Sequence, residues 1–186
     1  MKLHIKNMVC NRCKMVVKDE LIKFGAHPTS IELGEVEIKE ELNSVKKNQL
    51  NNILQTLGFE LIDDKKSQLI EKIKNTIVEL VHYSDEQIKT NFSEHISKKL
   101  HHDYNYLSNL FSEVEGTTIE KYFIAQKIEK VKELLKYDEL SLSEIADRLG
   151  YSSVAYLSNQ FKKQTGLTPS FYKSLKQNSR TNLDDL

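Results

Sequence analysis

Through the first sixty-odd residues the apolar positions alternate between two periods. Leu3 and Ile5 take turns with His4 and Lys6, the period of a half-buried strand over residues 2–6. From Cys13 the spacing lengthens, so that Cys13, Val17, Leu21 and Phe24 share one face of a helix that Gly25 closes. Alternation returns in a hairpin that sets Ile31 and Leu33 against Val36 and Ile38 across Gly34-Glu35. A second amphipathic helix over 45–57 uses Leu50, Ile53, Leu54 and Leu57 and ends at Gly58, after which Phe59 and Leu61 form a last strand. The predicted order is β-α-β-β-α-β, an α+β unit over residues 1–63.

After the charged connector D-D-K-K, whose residues 64–66 are read as a linker, the pattern is helical throughout. A helix over 67–82 carries Leu69, Ile70, Ile73, Ile77, Leu80 and Val81. The remainder of the chain is built on a repeat. Tyr106-Leu107-Ser108-Asn109 returns as Tyr156-Leu157-Ser158-Asn159, with Phe111 matching Phe161, Gly116 matching Gly166, Thr118 matching Thr168 and Ser93-Glu94 matching Ser143-Glu144. In the second copy Ser141 and Glu144 form a capping box before Leu142, Ile145, Ala146 and Leu149. Gly150 ends that helix, Tyr151-Ser152-Ser153 turn, and a second helix runs through Tyr156, Leu157 and Phe161 to about Lys163. The first copy, 91–111, places Ile96, Ser97 and Leu100 where the second has Ile145, Ala146 and Leu149, and its turn His101-His102-Asp103 is one residue shorter and lacks glycine. Helix, short turn, helix is the helix-turn-helix pattern. Between the copies Thr117 and Glu120 predict a capping box for a linking helix over 118–136, and Thr168-Pro169 start a closing helix. The all-α domain therefore covers 67–177 and consists of two helix-turn-helix units joined by a long helix, with a polar tail at 178–186.

Residues from about 69 to 176 resemble the DNA-binding domain of AraC/XylS-type transcription factors. The resemblance rests on Gly150, Tyr151, Ser153, Tyr156, Leu157, Ser158, Phe161, Lys162, Lys163, Gly166, Thr168, Pro169, Tyr172 and Lys173, the last a Lys where Arg is more usual. Leu107 and Phe111, like Leu157 and Phe161, stand four apart and must face the core. Helical spacing then turns Asn105, Ser108 and Asn109 outward in one unit and Ala155, Ser158 and Asn159 in the other, and the family's base-contacting positions fall on the same places. Asn pairs bidentately with adenine N6 and N7, which makes Asn109 and Asn159 the candidates for direct readout, with Ser108 and Ser158 as weaker readers or phosphate ligands. Lys162 and Lys163 are the phosphate candidates. The plainer reading makes these residues a solvated helix face and ordinary exposed lysines. The resemblance implies double-stranded DNA as partner, read as two adjacent major-groove segments, with RNA polymerase and a second copy of the chain as further candidate partners.

Residues 1–63 resemble a heavy-metal-associated domain of the copper-chaperone type, which has a ferredoxin-like fold. The order of elements and the M-x-C-x-x-C of Met8, Cys10 and Cys13 in the first strand-helix loop carry this resemblance; Asn7 stands where glycine is usual. Two thiols at a helix start suit a soft ion such as Cu(I), and the helix N-terminus lowers a thiol pKa. Two ligands are too few for a structural zinc site. A thiol-disulfide pair and a silent pair remain alternatives, Met8 is expected to pack under the loop, and His101-His102-Asp103 to be a solvated turn.

Charge changes this picture little. The 27 basic and 27 acidic side chains cancel, and neither half carries a basic excess. Only a local asymmetry supports nucleic acid: Lys162, Lys163, Lys173, Lys176 and Arg180 cluster late, while acids concentrate over 113–144. No apolar run approaches a membrane span and the N-terminus is too polar for a signal peptide, so a cytoplasmic location without membrane contact is expected. No Ser/His/Asp set, phosphate loop or carboxylate pair is placed for catalysis, and no enzymatic activity is expected. The sequence reads as a transcription regulator that responds to metal or thiol redox state. The rivals are a metal carrier whose helical half is a docking domain, and a thiol oxidoreductase.

Overall fold

The computed structural model describes residues 1–84, 91–137 and 139–177; Arg180, the tail 178–186 and the side chain of Lys176 lie outside them. The chain forms two compact units: Met1–Val78 with Ile96–Leu110, and Glu79–His95 with Phe111–Leu186. No boundary of this division falls at 64–66, where Lys65 and Lys66 already lie in a helix. Asp64 accepts the Ser67 N–H at 2.8 Å and so caps α3, Lys65–Val78.

In the first unit, β1 (Lys2–Lys6), α1 (Asn11–Phe24), β2 (Pro28–Glu32), β3 (Glu35–Ile38), α2 (Ser44–Thr56) and β4 (Glu60–Leu61) follow the predicted order. The sheet is antiparallel, ordered β2-β3-β1-β4. Leu3 and Ile5 of β1 and Val36 and Ile38 of β3 meet Val17 and Leu21 of α1 and Leu50 and Leu54 of α2 in one core. Alternation in the strands and the i, i+4 spacing in the helices thus converge on a single apolar layer.

Three details depart from the predicted pattern. The hairpin turns at Leu33-Gly34, not Gly34-Glu35: Ile31 pairs with Val36 and Glu32 with Glu35, and Leu33 lies outside β2. Gly34 takes the left-handed conformation at φ 77°, which favours glycine in the turn itself. Leu57 is the C-terminal cap of α2 and is 43% exposed, since Leu50 and Leu54 already supply the buried stripe. The last strand is only two residues long, flanked by the buried Phe59 and Ile62.

Helix α3 buries Ile70, Ile73, Ile77 and Val78, and also the polar Glu71, Asn75 and Thr76. A π-helical turn, Glu79–Tyr83, continues it and belongs to the second unit. The remaining helices are α4 (Phe92–Leu100), α5 (Tyr104–Glu115), α6 (Ile119–Tyr137), α7 (Leu142–Arg148), α8 (Val154–Thr165) and α9 (Pro169–Gln177). The cap of α6 is Thr118, not Thr117: its Oγ accepts the Lys121 N–H at 3.2 Å, as Thr168 Oγ accepts that of Phe171 at 3.3 Å. The repeat therefore extends to its closing caps. In the second unit Ile128, Val131, Leu134 and Leu135 of α6 pack with Ile145, Ala146, Leu157 and Phe161.

Candidate nucleic-acid interface and thiol pair

Helix α8 is set by its two ends and its buried stripe. Ser153 caps it, Oγ accepting the Tyr156 N–H at 3.1 Å, and Gly166 ends it in the left-handed conformation. Leu157 and Phe161 have no exposed surface, and the Phe161 ring meets the Tyr172 ring edge-on at 5.5 Å. With that face fixed inward, Ala155, Asn159, Lys162 and Lys163 are exposed and Ser158 is half-buried. The supporting helix α7 opens with the predicted box, in which Glu144 accepts from the Ser141 N–H and Ser141 Oγ accepts from the Glu144 N–H. It closes at Gly150, φ 63°, with the Tyr151 N–H on the Ala146 carbonyl at 2.8 Å. The Tyr151 ring is buried and holds the Lys127 ammonium over its face, 3.8 Å from the centroid. Burial there pushes Lys127 down to about 8.

Helix α5 repeats the device with different residues. Asp103 caps it, Oδ1 accepting from Asn105 and Tyr106 N–H at 2.9 and 3.2 Å. Leu107, Leu110 and Phe111 are buried, Asn105 and Asn109 exposed and Ser108 half-buried. Residues 104–109 and 154–159 share one exposure pattern position by position. His101, at φ 56°, occupies the left-handed position that Gly150 holds in the second unit, and the His102 N–H reaches the Ser97 carbonyl as Tyr151 reaches Ala146. The shorter first turn is offset by one more residue in α4, which brings the two recognition-helix caps back to the same spacing. His101, His102 and Asp103 are all exposed, as expected of a solvated turn.

Two residues were missed by spacing alone. Tyr106 and Tyr156 are 50% and 54% exposed, each resting on a turn residue, His102 at 5.6 Å and Tyr151 at 6.1 Å. Each precedes the buried leucine of the repeat, so the repeated tetrapeptide itself marked them.

Cys10 and Cys13 lie at the start of α1, their Sγ atoms 3.0 Å apart. Cys10 is the N-cap residue, its sulfur accepting the Cys13 N–H at 3.4 Å. Burial raises the Cys10 thiol, but hydrogen bonds from Cys13 and from the Arg12 backbone outweigh it and hold it below its ordinary pKa. Burial and the same contact push Cys13 up. The pair is thus asymmetric, with Cys10 the readier thiolate. Met8 is fully buried in the core below the loop. Among the described residues no group of three or more His, Cys, Asp or Glu is placed to hold a metal ion, and no helix is long and apolar enough to cross a membrane.

Comparison with known proteins bears on the helical region. Residues 96–174 match the family described as a helix-turn-helix domain. The HTH-type transcriptional regulators YtdP and YfiF of Bacillus subtilis are 27% and 33% identical over 107 and 98 residues, or 58% and 50% of this chain. The chain spans 14% and 31% of their respective lengths. The xylose operon regulatory protein of Escherichia coli is 38% identical over 69 residues, 37% of this chain and 18% of that protein. Among solved structures, the C-terminal domain of AraT, a response regulator from Geobacillus stearothermophilus, aligns with a TM-score of 0.51 at 28% identity, covering 60% of this chain and 88% of that one. These relatives are transcription regulators, not enzymes. Residues 96–174 are therefore an AraC-type helix-turn-helix domain, and the chain is a homologue of the AraC/XylS-like regulators.

Proposed function

We propose that the chain is a sequence-specific DNA-binding transcription regulator in which α5 and α8 each read a major groove. The observation that carries this reading is the shared exposure pattern of the two helices. Each is side-chain-capped, each buries Leu and Phe, and each turns outward an Asn whose amide matches the adenine edge. Tandem copies on one chain would address segments about one turn apart, roughly 10–10.5 base pairs, with bending bringing both into reach. Lys162 and Lys163 are exposed where the phosphate backbone would pass; so few cations predict a modest salt dependence. RNA polymerase and a second copy of the chain are the protein partners of this reading, and the cytoplasm is its place.

The N-terminal unit is proposed to be a ferredoxin-like, heavy-metal-associated module. The βαββαβ order and the strand order β2-β3-β1-β4 support it. The donor set fits a soft ion: two thiols close together at a partly exposed helix start, with no hard oxygen ligands grouped around them among the described residues. Cys10 and Cys13 would hold Cu(I) or a related ion, which supplies a charge and a fixed distance between the sulfurs; the same pair could instead cycle between dithiol and disulfide.

The test is enrichment of a random duplex pool by the reduced protein, sequenced with and without Cu(I), beside an Asn109→Ala/Asn159→Ala double variant. A two-element motif a helical turn apart, lost in the variant, is the expected result. Enrichment that ignores Cu(I) would remove the metal-sensing part. No enrichment in either condition would remove DNA reading and favour a carrier whose helical half docks proteins.

A further inference from the structure

Asn7 stands at the junction of the thiol loop with the rest of the first unit. Its backbone is left-handed, φ 67°, a conformation in which Asn is among the tolerated non-glycine residues. The side chain uses that geometry to donate from Nδ2 to the Gly58 carbonyl at 2.9 Å, tying the loop after β1 to the loop after α2. The backbone N–H points the other way and meets Glu71 Oε2 of α3 at 3.4 Å. A glycine here could adopt the same φ but could not make the Gly58 contact.

Glu71 does not act alone. Its other oxygen, Oε1, pairs with Lys74 at 3.5 Å. The next residue, Lys72, pairs with Glu35 Oε1 of β3 at 2.9 Å. One turn along α3, Asn75 packs so tightly on Gly34 that a Cβ there would collide with its amide nitrogen. Glu71, Lys72 and Asn75 of α3 thus grip the thiol-loop junction and the β2–β3 turn. Glu71 and Asn75 are each only 5% exposed, where a carboxylate or an amide is costly unless it is partnered, and the Asn7 N–H and Lys74 are the partners of Glu71. Beyond Asn7 the chain is fixed by the fully buried Met8 and then reaches Cys10, so the loop has little room to move without shifting Asn7. On the other side, residues 96–110, with α5's Asn105, Ser108 and Asn109, belong to the same compact unit as the sheet and α3.

We propose that Asn7 and Glu71 are positioning residues that couple the state of the Cys10/Cys13 loop to helix α3 and, through α3, to residues 96–110 of the same compact unit. When the sulfurs are drawn to a ligand, the loop adjusts, the Asn7 N–H moves relative to the Glu71 carboxylate, and the buried carboxylate must re-pair. This rests on the reading of Cys10/Cys13 as a responsive pair and names the route by which its state leaves the loop. A shift at a buried, charge-accepting hydrogen bond is a two-state event in a close-packed unit, which is what coupling requires.

The test reads the route directly, by residue-resolved hydrogen exchange on the full-length protein in three states: reduced, reduced with one equivalent of Cu(I), and alkylated at the thiols with iodoacetamide. In the wild type, exchange at Asn7 and along α3 and 104–110 should change about tenfold between the reduced and at least one modified state, the scale of one hydrogen bond. In Glu71→Ala the change should stay within the loop while α3 no longer responds, and Glu71→Gln, which keeps an acceptor, should restore much of it. Asn7→Gly keeps the φ and the N–H and should respond less because the loop is no longer tied to Gly58. A wild-type α3 that does not respond to either modification overturns the proposal, as does an α3 that responds equally in Glu71→Ala. A response of α3 without any change in DNA affinity leaves this coupling standing and refutes the sensing role instead.

Discussion

Replacing Lys127 by Met tests how the second unit is held together. The Lys127 ammonium lies over the Tyr151 ring at 3.8 Å from its centroid and stands 5.4 Å from that of Phe123. Burial lowers its pKa from 10.5 to about 8, which at about 1.4 kcal/mol per unit means that keeping it charged at pH 7 costs the folded state about 3 kcal/mol. The ring face offsets about 1–2 kcal/mol of that. Met keeps the length of the stem and places a polarizable sulfur on the same rings without a charge. Lys127→Met should therefore stabilise the protein by about 1–2 kcal/mol at pH 7, read from urea unfolding followed by far-ultraviolet circular dichroism. The pH dependence has a definite sign. The unfolded lysine binds its proton up to pH 10.5 and the folded one only to about 8, so the cost is complete below pH 8 and fades as pH rises from 8 towards 10.5. Burial also raises the Tyr151 pKa, which opposes this above pH 10, but that contribution is common to both proteins and drops out of their difference. The stability gap should be largest at pH 7 and nearly closed at pH 10. A variant less stable than the wild type at pH 7 would show that the cation-ring contact outweighs desolvation, and a gap independent of pH would show that the charge is not the cause.

Single contacts set the other expectations. Asn159→Ala should weaken binding to the enriched duplex by about 1–3 kcal/mol and relax base preference at one position, whereas Lys162→Ala should weaken all duplexes alike and reduce the salt slope by about one; competition binding at two salt concentrations separates them. Ser153→Ala removes the α8 cap and should destabilise by about 1 kcal/mol in thermal unfolding. His101→Gly relieves a left-handed non-glycine residue and should stabilise by about 0.5–1 kcal/mol; a loss would mean that the His102–Tyr106 packing depends on the histidine backbone being restrained. Gly34→Ala should lower the melting temperature by several degrees, since the new Cβ meets Asn75 and the residue keeps a positive φ; an unchanged melting temperature would show that α3 can shift freely.

The sequence alone determined whatever is encoded within about four residues of itself. The Ser141/Glu144 box, the Gly25 and Gly166 ends, the Leu-x-x-x-Phe stripe and the fifty-residue repeat are all built from local signals. Their hydrogen bonds and periods involve near neighbours, so they appear in the structure as read. The outward places of Asn105, Asn109, Ala155 and Asn159 followed from those stripes. What the sequence misjudged depends on partners far along the chain. Leu57 reads as a core residue by spacing, but it is the C-terminal cap of α2 and is exposed. The hairpin shifts because Gly34 must sit in the turn, where Asn75 from α3 closes on it. Residues 65 and 66 read as linker by charge, yet Asp64 caps a helix there whose Lys72 pairs with Glu35 of β3. Nothing near Glu71, Asn75 or Lys127 in sequence marks them as buried. Their environment is assembled from the loop after β1, the β2–β3 turn and the turn after α7, and only packing decides which polar groups are removed from water.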